Sequence, residues 1–451
     1  MIQTAKTSEF EKADPILSAF DQLEKRLSQK GPAWVHLVRR AAISHFAELG
    51  FPTTKDEEWK YTNVAPIAEL AFRPTGPYAP GSLMPGSIEE FTFAGLRGQR
   101  LVFINGHYAP DLSSVVPPVD GLQAGSLATA LHGGVTGLEK HLARYARYNE
   151  NAFVALNTAF FQDGACIVIP AQQVLEEPIH LLFIATAQDA GATACPRNLI
   201  IAQEESQAKI IESYVSLADA THVTNAVTEL VLEAGAKVEH CKIQNESCNA
   251  WHIATIEAHL GRNCQLLSHS VSIGARLARN NINVTLDAER IEATLNGLYL
   301  GKGGQLVDHH TAICHAQPHC QSHEHYHGVL DGHAQGVFNG KIFVRPEAQK
   351  TDAKQTNRNL LLSQEAAINT KPQLEIFADD VKCTHGATVG QLDEEALFYL
   401  RARGIGLDAA RQMLIWAFAS DILDRISMEP VRKHLDQLLL RWFARKVKKA
   451  S

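Results

Sequence analysis

The centre of the 451-residue chain, residues 235–300, reads GAKVEHCKIQNESCNAWHIATIEAHLGRNCQLLSHSVSIGARLARNNINVTLDAERIEATLNGLYL. It contains short runs of β-type residues, and turn-like or polar residues precede these runs at Gly235, Asn263 and Ala288, which are 28 and 25 residues apart. Such spacing is typical of successive coils of a stacked β-solenoid. No helix-periodic segment of ten or more residues interrupts the runs, which disfavours alternating β-α-β units.

Similar β-type runs extend on both sides, over residues 165–375. We therefore predict a mainly β fold whose core is a solenoid. A β-sandwich would also fit the alternation of apolar and polar residues, and the sequence leaves that alternative open.

The flanking parts are predicted to be helical. Apolar residues recur at helical steps over Pro15–Gln29 and Ala33–Leu49, and again after Glu394. Asp408 is placed to cap a helix, and Pro430 to start the last one. The predicted organisation is an N-terminal helical and irregular region (1–164), a β core (165–390) and a C-terminal helical part (391–451).

Composition excludes several classes of protein. The chain is 45% hydrophobic and 20% charged with a net charge of −7, which argues against a disordered chain and against a dedicated nucleic-acid binder. No apolar run approaches the length of a membrane helix, and the N-terminus lacks the apolar segment of a signal peptide. The eight cysteines include no C-x-x-C pair, so free thiols are expected. We predict a cytoplasmic protein without nucleic-acid or membrane partners.

Sequence motifs for nucleotide hydrolysis are absent. The segments Gly301–Gly304 and Gly340–Lys341 do not match the G-x-x-x-x-G-K-[ST] phosphate loop, and no G-x-S-x-G or H-E-x-x-H occurs. The chain is therefore predicted neither to hydrolyse a nucleotide nor to activate a serine, and any ATP hydrolysis that it depends on would come from another subunit.

Histidines are concentrated between residues 309 and 333. On a strand, His323, His325 and His327 would project from one face, because side chains alternate. Imidazoles are good ligands for zinc or iron, so these three residues form a candidate metal site. An exposed polar strand face, or stacking of histidines between coils, would give the same pattern.

A second candidate is the C-x-H pair of Cys383 and His385. Two residues apart in an extended segment, they share a face, and thiolate and imidazole are ligands suited to iron–sulfur chemistry. Lys382 and a protonated His385 would also lower the pKa of the thiol. The alternative is an inert buried cysteine beside a turn histidine.

The stripe Met413, Phe418 and Ile422 on a C-terminal helix is the third candidate. It is either core or a surface for a partner.

Several segments resemble the SufB/SufD family of iron–sulfur assembly proteins. They lie at residues 56–62 (DEEWKYT), 356–362 (TNRNLLL), 370–376 (TKPQLEI), 379–390 (DDVKCTHGATVG) and 392–405 (LDEEALFYLRARGI). The His-Gly pair after the cysteine is similar to the SufD branch, whereas SufB has Cys-Glu-His.

The resemblance implies a fold, partners and site residues. The fold is a right-handed parallel β-helix with helical N- and C-terminal parts. The partners are SufB, paired through the β-helix, and the ATPase SufC, docked on the C-terminal helices at Met413, Phe418 and Ile422. His385 would help to hold a nascent cluster at the SufB interface, and Cys383 aligns with the essential cysteine of SufB.

The same resemblance implies a scaffold subunit without a tightly bound cofactor, on which an iron–sulfur cluster is transient. It leaves open FADH2 binding by the assembled complex and a homodimer of the isolated chain. The alternatives from the residues alone are a His-rich metal-dependent hydrolase and a purely structural solenoid.

Overall fold

The computed structural model describes residues 2–27, 31–114, 120–133, 135, 137–186 and 191–444. Strands dominate the described chain. Their bounds are β1 (Arg73–Pro74), β2 (Gln99–Ile104), β3 (His107–Tyr108), β4 (Gln123–Ser126), β5 (Ala165–Ile169), β6 (Ile179–Ala185), β7 (Ala192–Ala194), β8 (Arg197–Ala202), β9 (Gln207–Ser216), β10 (His222–Leu232), β11 (Lys237–Asn245), β12 (Trp251–Leu260), β13 (Gln265–Ser272), β14 (Leu277–Leu286), β15 (Glu292–Gly303), β16 (Leu306–His315), β17 (Gln321–Gly332), β18 (Gln335–Val344), β19 (Asp352–Leu361), β20 (Ala367–Ile376) and β21 (Lys382–Gly390).

From β8 onward, the long strands alternate between two sheets. One sheet runs in the order β20-β18-β16-β14-β12-β10-β8-β5-β4, with β1 and β7 off this path, and the other runs β21-β19-β17-β15-β13-β11-β9-β6-β2-β3. Neighbouring long strands are parallel, so that Lys237 lies beside Gln265 and Gln265 beside Glu292. Each coil thus adds one strand to each sheet. This confirms the predicted solenoid, whereas a β-sandwich would be built from antiparallel sheets.

A left-handed residue lies two positions before each strand of the second sheet from β9 to β19. These residues, with φ between 55° and 73°, are Glu205, Gly235, Asn263, Arg290, His319 and Lys350. Sequence spacing therefore located the first two turns of the quoted stretch correctly. The third turn is at Arg290 rather than at Ala288, because a non-glycine residue occupies the left-handed position and leaves no glycine or asparagine signal.

Helices flank the solenoid on both sides in sequence. They are α1 (Ile2–Leu27), α2 (Ala33–Leu49), α3 (Ala65–Ala68), α4 (Leu127–Gly133), α5 (Leu138–His141), α6 (Ala152–Phe160), α7 (Glu394–Ala402), α8 (Leu407–Leu423) and α9 (Glu429–Ala444). The prediction that Asp408 caps α8 is wrong. Gly406 occupies the cap without a side-chain hydrogen bond, and Asp408 lies in the first turn, where its charge favours the helix N-terminus. The predicted helix end at Gln29 and residues 445–451 of the C-terminal part lie outside the described residues.

Two helical groups pack against the strands. In the N-terminal group, Phe20, Phe46 and Phe160 share one buried cluster. In the C-terminal group, Ile415 and Ile422 of α8 join a cluster with apolar residues on the outer face of the second sheet. Within the described residues, no helix has both the length and the apolarity needed to cross a bilayer.

The solenoid interior is apolar along much of its length, with Ile256, Ile282 and Leu295 fully or almost fully buried. It also contains charged groups. The Lys242 ammonium lies 2.8 Å from Nε2 of His252 and over the ring of Tyr214. The alternation of inward and outward residues along the strands is visible in the sequence. In this solenoid, however, inward residues are not always apolar and outward residues are not always polar.

Candidate functional site

The last coil of the solenoid has an open end. Strands β20 and β21 each pair with an earlier strand on one side and, within the described chain, with no strand on the other. Most of β21 is exposed, including Val389 at 51%. An unpaired edge presents free N–H and C=O groups to another chain, so this end is a natural surface for strand pairing.

Both residues of the C-x-H pair lie on this edge strand. Cys383 pairs in register with Ala353, and His385 with Gln355. Ala353 and Gln355 are buried, with 0% and 2% of their surface exposed. Because paired residues share a face, Cys383 and His385 occupy inward positions of the terminal coil, and His385 is exposed at its open end. The structure therefore brings these two predicted residues together on one face.

The environment of the thiol differs from the prediction. Cys383 is half-buried and packs against the apolar cluster that contains Ile342 and Ala353. Burial and the nearby Asp352 carboxylate raise the pKa of the Cys383 thiol. Lys382 lies one residue away, so alternation directs it to the other face of the strand. The predicted lowering of the thiol pKa is therefore wrong for the chain by itself, and Cys383 carries its proton at neutral pH.

The histidine-rich region divides among different surfaces. His309 is buried in the interior and stacks on Tyr299, with ring centroids 5.3 Å apart. His310 faces outward, and its Nδ1 lies 3.1 Å from the Glu58 carboxylate. His319 holds a left-handed turn. The concentration in sequence is thus not a concentration in space.

The candidate metal set His323, His325 and His327 lies along β17 on one face, as alternation predicts. The rise of ~3.3 Å per residue separates the first and last of these positions by about 13 Å, too far for one ion. Among the described residues, no group of three or more His, Cys, Asp or Glu side chains is placed to hold a metal.

His327 has a different partner. Its Nδ1–H donates to the backbone oxygen of Phe418 at 2.9 Å, its ring stacks on the Phe418 ring, and Nε2 lies 3.5 Å from the Asp421 carboxylate. It therefore fastens α8 to the solenoid.

The predicted stripe on α8 is divided between two environments. Ile422 is 1% exposed and Phe418 is half-buried against His327, so both contribute to the attachment of α8. Met413 is 49% exposed. Only Met413 of these three has its side chain largely available to a partner. The reason is that α8 packs on the sheet through one face, and side-chain type alone did not identify that face.

The C-terminal helices expose further large apolar side chains, which the sequence did not single out. They are Phe398 and Tyr399 on α7 and Leu407 and Trp416 on α8, exposed by 41% to 74%. With Met413 they form what we call the α7–α8 surface. Exposed aromatic and methionine side chains are enriched at sites of protein association.

The DEEWKYT segment attaches the N-terminal part to the outer face of the first sheet. The Arg279 guanidinium lies over the Trp59 ring, with its central carbon 3.8 Å from the ring centroid. Arg279 also donates hydrogen bonds to the Glu58 backbone oxygen and to the Asp308 carboxylate. The Thr62 hydroxyl donates to Asp308, and Glu57 pairs with Lys371 on β20. The sequence marked this segment by resemblance only, and the structure supplies its physical role.

Comparisons with known proteins agree with this architecture. Residues 11–181 match a family model described as the SufBD protein N-terminal region, and residues 183–418 match the SufBD core domain of the SUF system for FeS cluster assembly. The chain is 35% identical to an iron–sulfur cluster assembly SufBD family protein of Synechocystis over 88% of this chain and 89% of that protein. It is 32% identical to the iron–sulfur cluster assembly protein SufD of Escherichia coli, over 87% and 90% respectively. The chain therefore belongs to the SufBD family of iron–sulfur cluster assembly proteins and is homologous to SufD.

Proposed function

We propose that this chain is the SufD-type scaffold subunit of a SufB–SufC–SufD complex, and that His385 helps to hold a nascent iron–sulfur cluster at the interface with SufB. The observation that carries the proposal is the position of Cys383 and His385 on the unpaired strand of an open solenoid end. A ligand needed by two subunits must lie where a second subunit can reach it. His385 meets that condition because it is exposed.

A solenoid partner suits this end. The inward positions of β20 include Ile368, Pro372 and Leu374, which are half-buried in the chain alone. A second solenoid that continued both sheets would cover these apolar side chains and satisfy the free backbone groups of β20 and β21. We assign this position to SufB, with a second copy of this chain as the occupant in the isolated protein.

The second partner would be SufC, bound at the α7–α8 surface. Exposed aromatic side chains such as Phe398, Tyr399 and Trp416 are typical anchors of protein interfaces. In this arrangement ATP hydrolysis belongs to SufC, and the present chain is not catalytic.

A mechanical connection would join the two interfaces. α8 is bonded to β17 through His327, and β17 pairs with β19, which pairs with β21. If the ATP-bound pair of SufC subunits binds one arrangement of α8 more tightly, the edge strand with Cys383 and His385 would shift with it. Opening of this interface would then admit iron and sulfide, the cargo of the reaction.

Replacement of His385 by Ala tests the proposal. The variant should co-purify with SufB and SufC as the wild type does, because an exposed side chain is removed. Cluster formation in the reconstituted complex, followed by visible absorption and acid-labile sulfide, should fall by about tenfold or more, the scale at which ligand-site changes act.

The matched control is His323→Ala, which removes an imidazole from the outer face of β17. It should leave the cluster yield unchanged. A normal yield in the His385→Ala complex would remove His385 from the site and would refute the proposed role.

A further inference from the structure

Three polar side chains stand in register beneath the open end. Glu324 on β17 pairs with Gln355 on β19, and Gln355 pairs with His385 on β21. Glu324 and Gln355 are buried, with 0% and 2% exposure, so the column points into the solenoid. Successive strands lie about 4.8 Å apart, and the column therefore leads from the exposed imidazole to a carboxyl group two coils inside.

A glycine makes room for the middle member of the column. A Cβ built on Gly340, on the opposite sheet, would lie 1.5 Å from Nε2 of Gln355. The Gln355 amide thus extends across the interior into the space where any other residue would have its side chain. Gln355 does not merely line the sheet, because it spans the interior at the layer beneath His385.

The polar atoms of this region lack partners within the protein. Both carboxyl oxygens of Glu324 and both polar atoms of the Gln355 amide are buried without a hydrogen bond. The Thr311 hydroxyl, the Tyr326 hydroxyl and both ring nitrogens of His309 are in the same state. Thr311 and Gln355 lie close enough to Glu324 to oppose the rise in its pKa, but neither makes a contact short enough to satisfy the buried carboxyl oxygens.

So many buried polar groups without a hydrogen bond in one interior are rare in folded proteins, because each such group costs free energy when it is left unpaired. Ordered water is the usual occupant of a polar interior, where it bridges groups that do not reach each other directly. The surrounding Thr311, Tyr326 and His309 supply the additional partners that such water needs. The interior of the last three coils accordingly contains a polar region, beside its apolar residues, that leads towards His385.

We propose that Gln355 and Glu324 are positioning residues for His385, connected to its imidazole through ordered water inside the last three coils. A neutral imidazole has one N–H and one free nitrogen, and the hydrogen bond made by one nitrogen decides which of them is free for a ligand. The column would thus select the ring nitrogen that His385 offers at the interface. This use of the column rests on the proposed role of His385, whereas the hydrogen-bonded connection itself does not.

The chemistry of the column fits this role. Burial raises the pKa of Glu324 to about 7, so a large share of the carboxyl groups carries a proton at neutral pH, and below neutral pH most can donate one. The amide of Gln355 both donates and accepts, which lets it connect a donor on one side with an acceptor on the other. Leucine at either position would keep the volume and remove the hydrogen bonds.

The test is the tautomer of His385 in the isolated full-length chain, read from ring nitrogen shifts of histidine-labelled protein by NMR. The His385 signal is identified by its loss in His385→Ala. Gln355→Leu and Glu324→Leu should each change the ratio of the two N–H tautomers by about fivefold towards that of free imidazole, the effect of one net hydrogen bond.

Two further variants separate positioning from packing. Glu324→Gln keeps a donor and an acceptor in place of the protonated carboxyl group and should retain the wild-type ratio. Gln373→Leu, a matched glutamine replacement on the outer face of β20, should also retain it. If Glu324→Leu does not fold, Gln355→Leu with Glu324→Gln still decides the question.

The inference is overturned if the wild-type ratio already equals that of free imidazole, or if a folded Gln355→Leu chain keeps the wild-type ratio. These results are independent of cluster formation. A normal cluster yield in the His385→Ala complex would refute the proposed function and leave the tautomer result standing.

Discussion

Trp59 shows how one residue joins two parts of the molecule. Trp59 is 8% exposed, and its ring contacts both the Arg279 guanidinium and the ring of Phe153, whose centroid is 5.3 Å away. Phe153 belongs to α6 and Arg279 to β14, so the indole contacts the helical part and the solenoid at once. A large aromatic side chain in this position contributes more to stability than the charged neighbours that give the segment its sequence signature.

Replacement of Trp59 by Ala should therefore destabilise the protein by about 3–5 kcal/mol, through lost burial and an unfilled cavity. The quantity to measure is the free energy of unfolding in urea. Tyr61→Ala is the control within the same segment, since Tyr61 is 41% exposed, and it should cost less than about 1 kcal/mol. Equal losses in the two variants would show that Trp59 does not hold the two parts together.

Helix α8 has two different faces, one buried against the solenoid and one exposed. Ile422 and Ala419 are buried against the second sheet, whereas Met413 and Trp416 are exposed. Trp416 is held by a hydrogen bond from its Nε1 to Asp436 on α9, at 3.2 Å. The helix is thus anchored to the solenoid on one side and offers fixed apolar side chains on the other.

A negative charge on the buried face of α8 should affect stability, whereas a negative charge on its exposed face should affect partner binding. Ile422→Asp buries an unpaired carboxylate and should cost several kcal/mol of stability, seen as a lower midpoint in thermal or urea unfolding. Met413→Asp should change stability by less than about 0.5 kcal/mol and should abolish co-purification with SufC.

Loss of SufC with unchanged stability in Met413→Asp would support the α7–α8 surface as the docking site. Retention of SufC by a stable Met413→Asp chain would contradict it.

Across the whole molecule, buried histidines contribute to the response to acid. Burial lowers the pKa of His180 and His309 to about 3 and that of His315 to about 4. In the unfolded chain these groups titrate near 6.5, so below that pH the unfolded state binds more protons than the folded state. Stability contributed by these neutral histidines is present above pH 6.5 and is lost as the pH falls towards 3–4.

Replacement of His309 by Phe should isolate one such group. Neither nitrogen of His309 bonds to another residue and its ring stacks on Tyr299, so phenylalanine keeps the packing and removes no hydrogen bond between residues. Between pH 6 and 4 the free energy of unfolding of the variant should fall less steeply than that of the wild type, by about 1.4 kcal/mol per pH unit.

The comparison must be made as a difference between the two proteins. Burial raises the pKa of Glu257 and Glu324 to about 7, and these groups change stability in the opposite direction as the pH falls from 7 towards 4.5. Their effect is common to both chains and cancels in the difference. Parallel pH profiles would show that His309 is not held neutral in the fold.

The residue pattern by itself predicted a mainly β solenoid with helical flanks but left a β-sandwich open, and the parallel arrangement was implied only by the resemblance to the SufB/SufD family. Alternation and turn spacing are local properties, and they recur along the chain because each coil repeats a similar arrangement of strands and turns. The sequence also placed Cys383 and His385 on a shared face, since alternation along a single strand needs no knowledge of the neighbours. For the same reason it brought His323, His325 and His327 to one face of β17.

Only the tertiary structure decided which segments of the chain pack against those faces. Whether His327 binds a metal or the backbone of Phe418, whether Ile422 is core or surface, and whether Lys382 or an apolar cluster surrounds Cys383 all depend on which segments pack together. The column of Glu324, Gln355 and His385 has no signal in the sequence, because its members lie on separate coils. Register between strands, which is fixed by the packing of the whole solenoid, brings them into line.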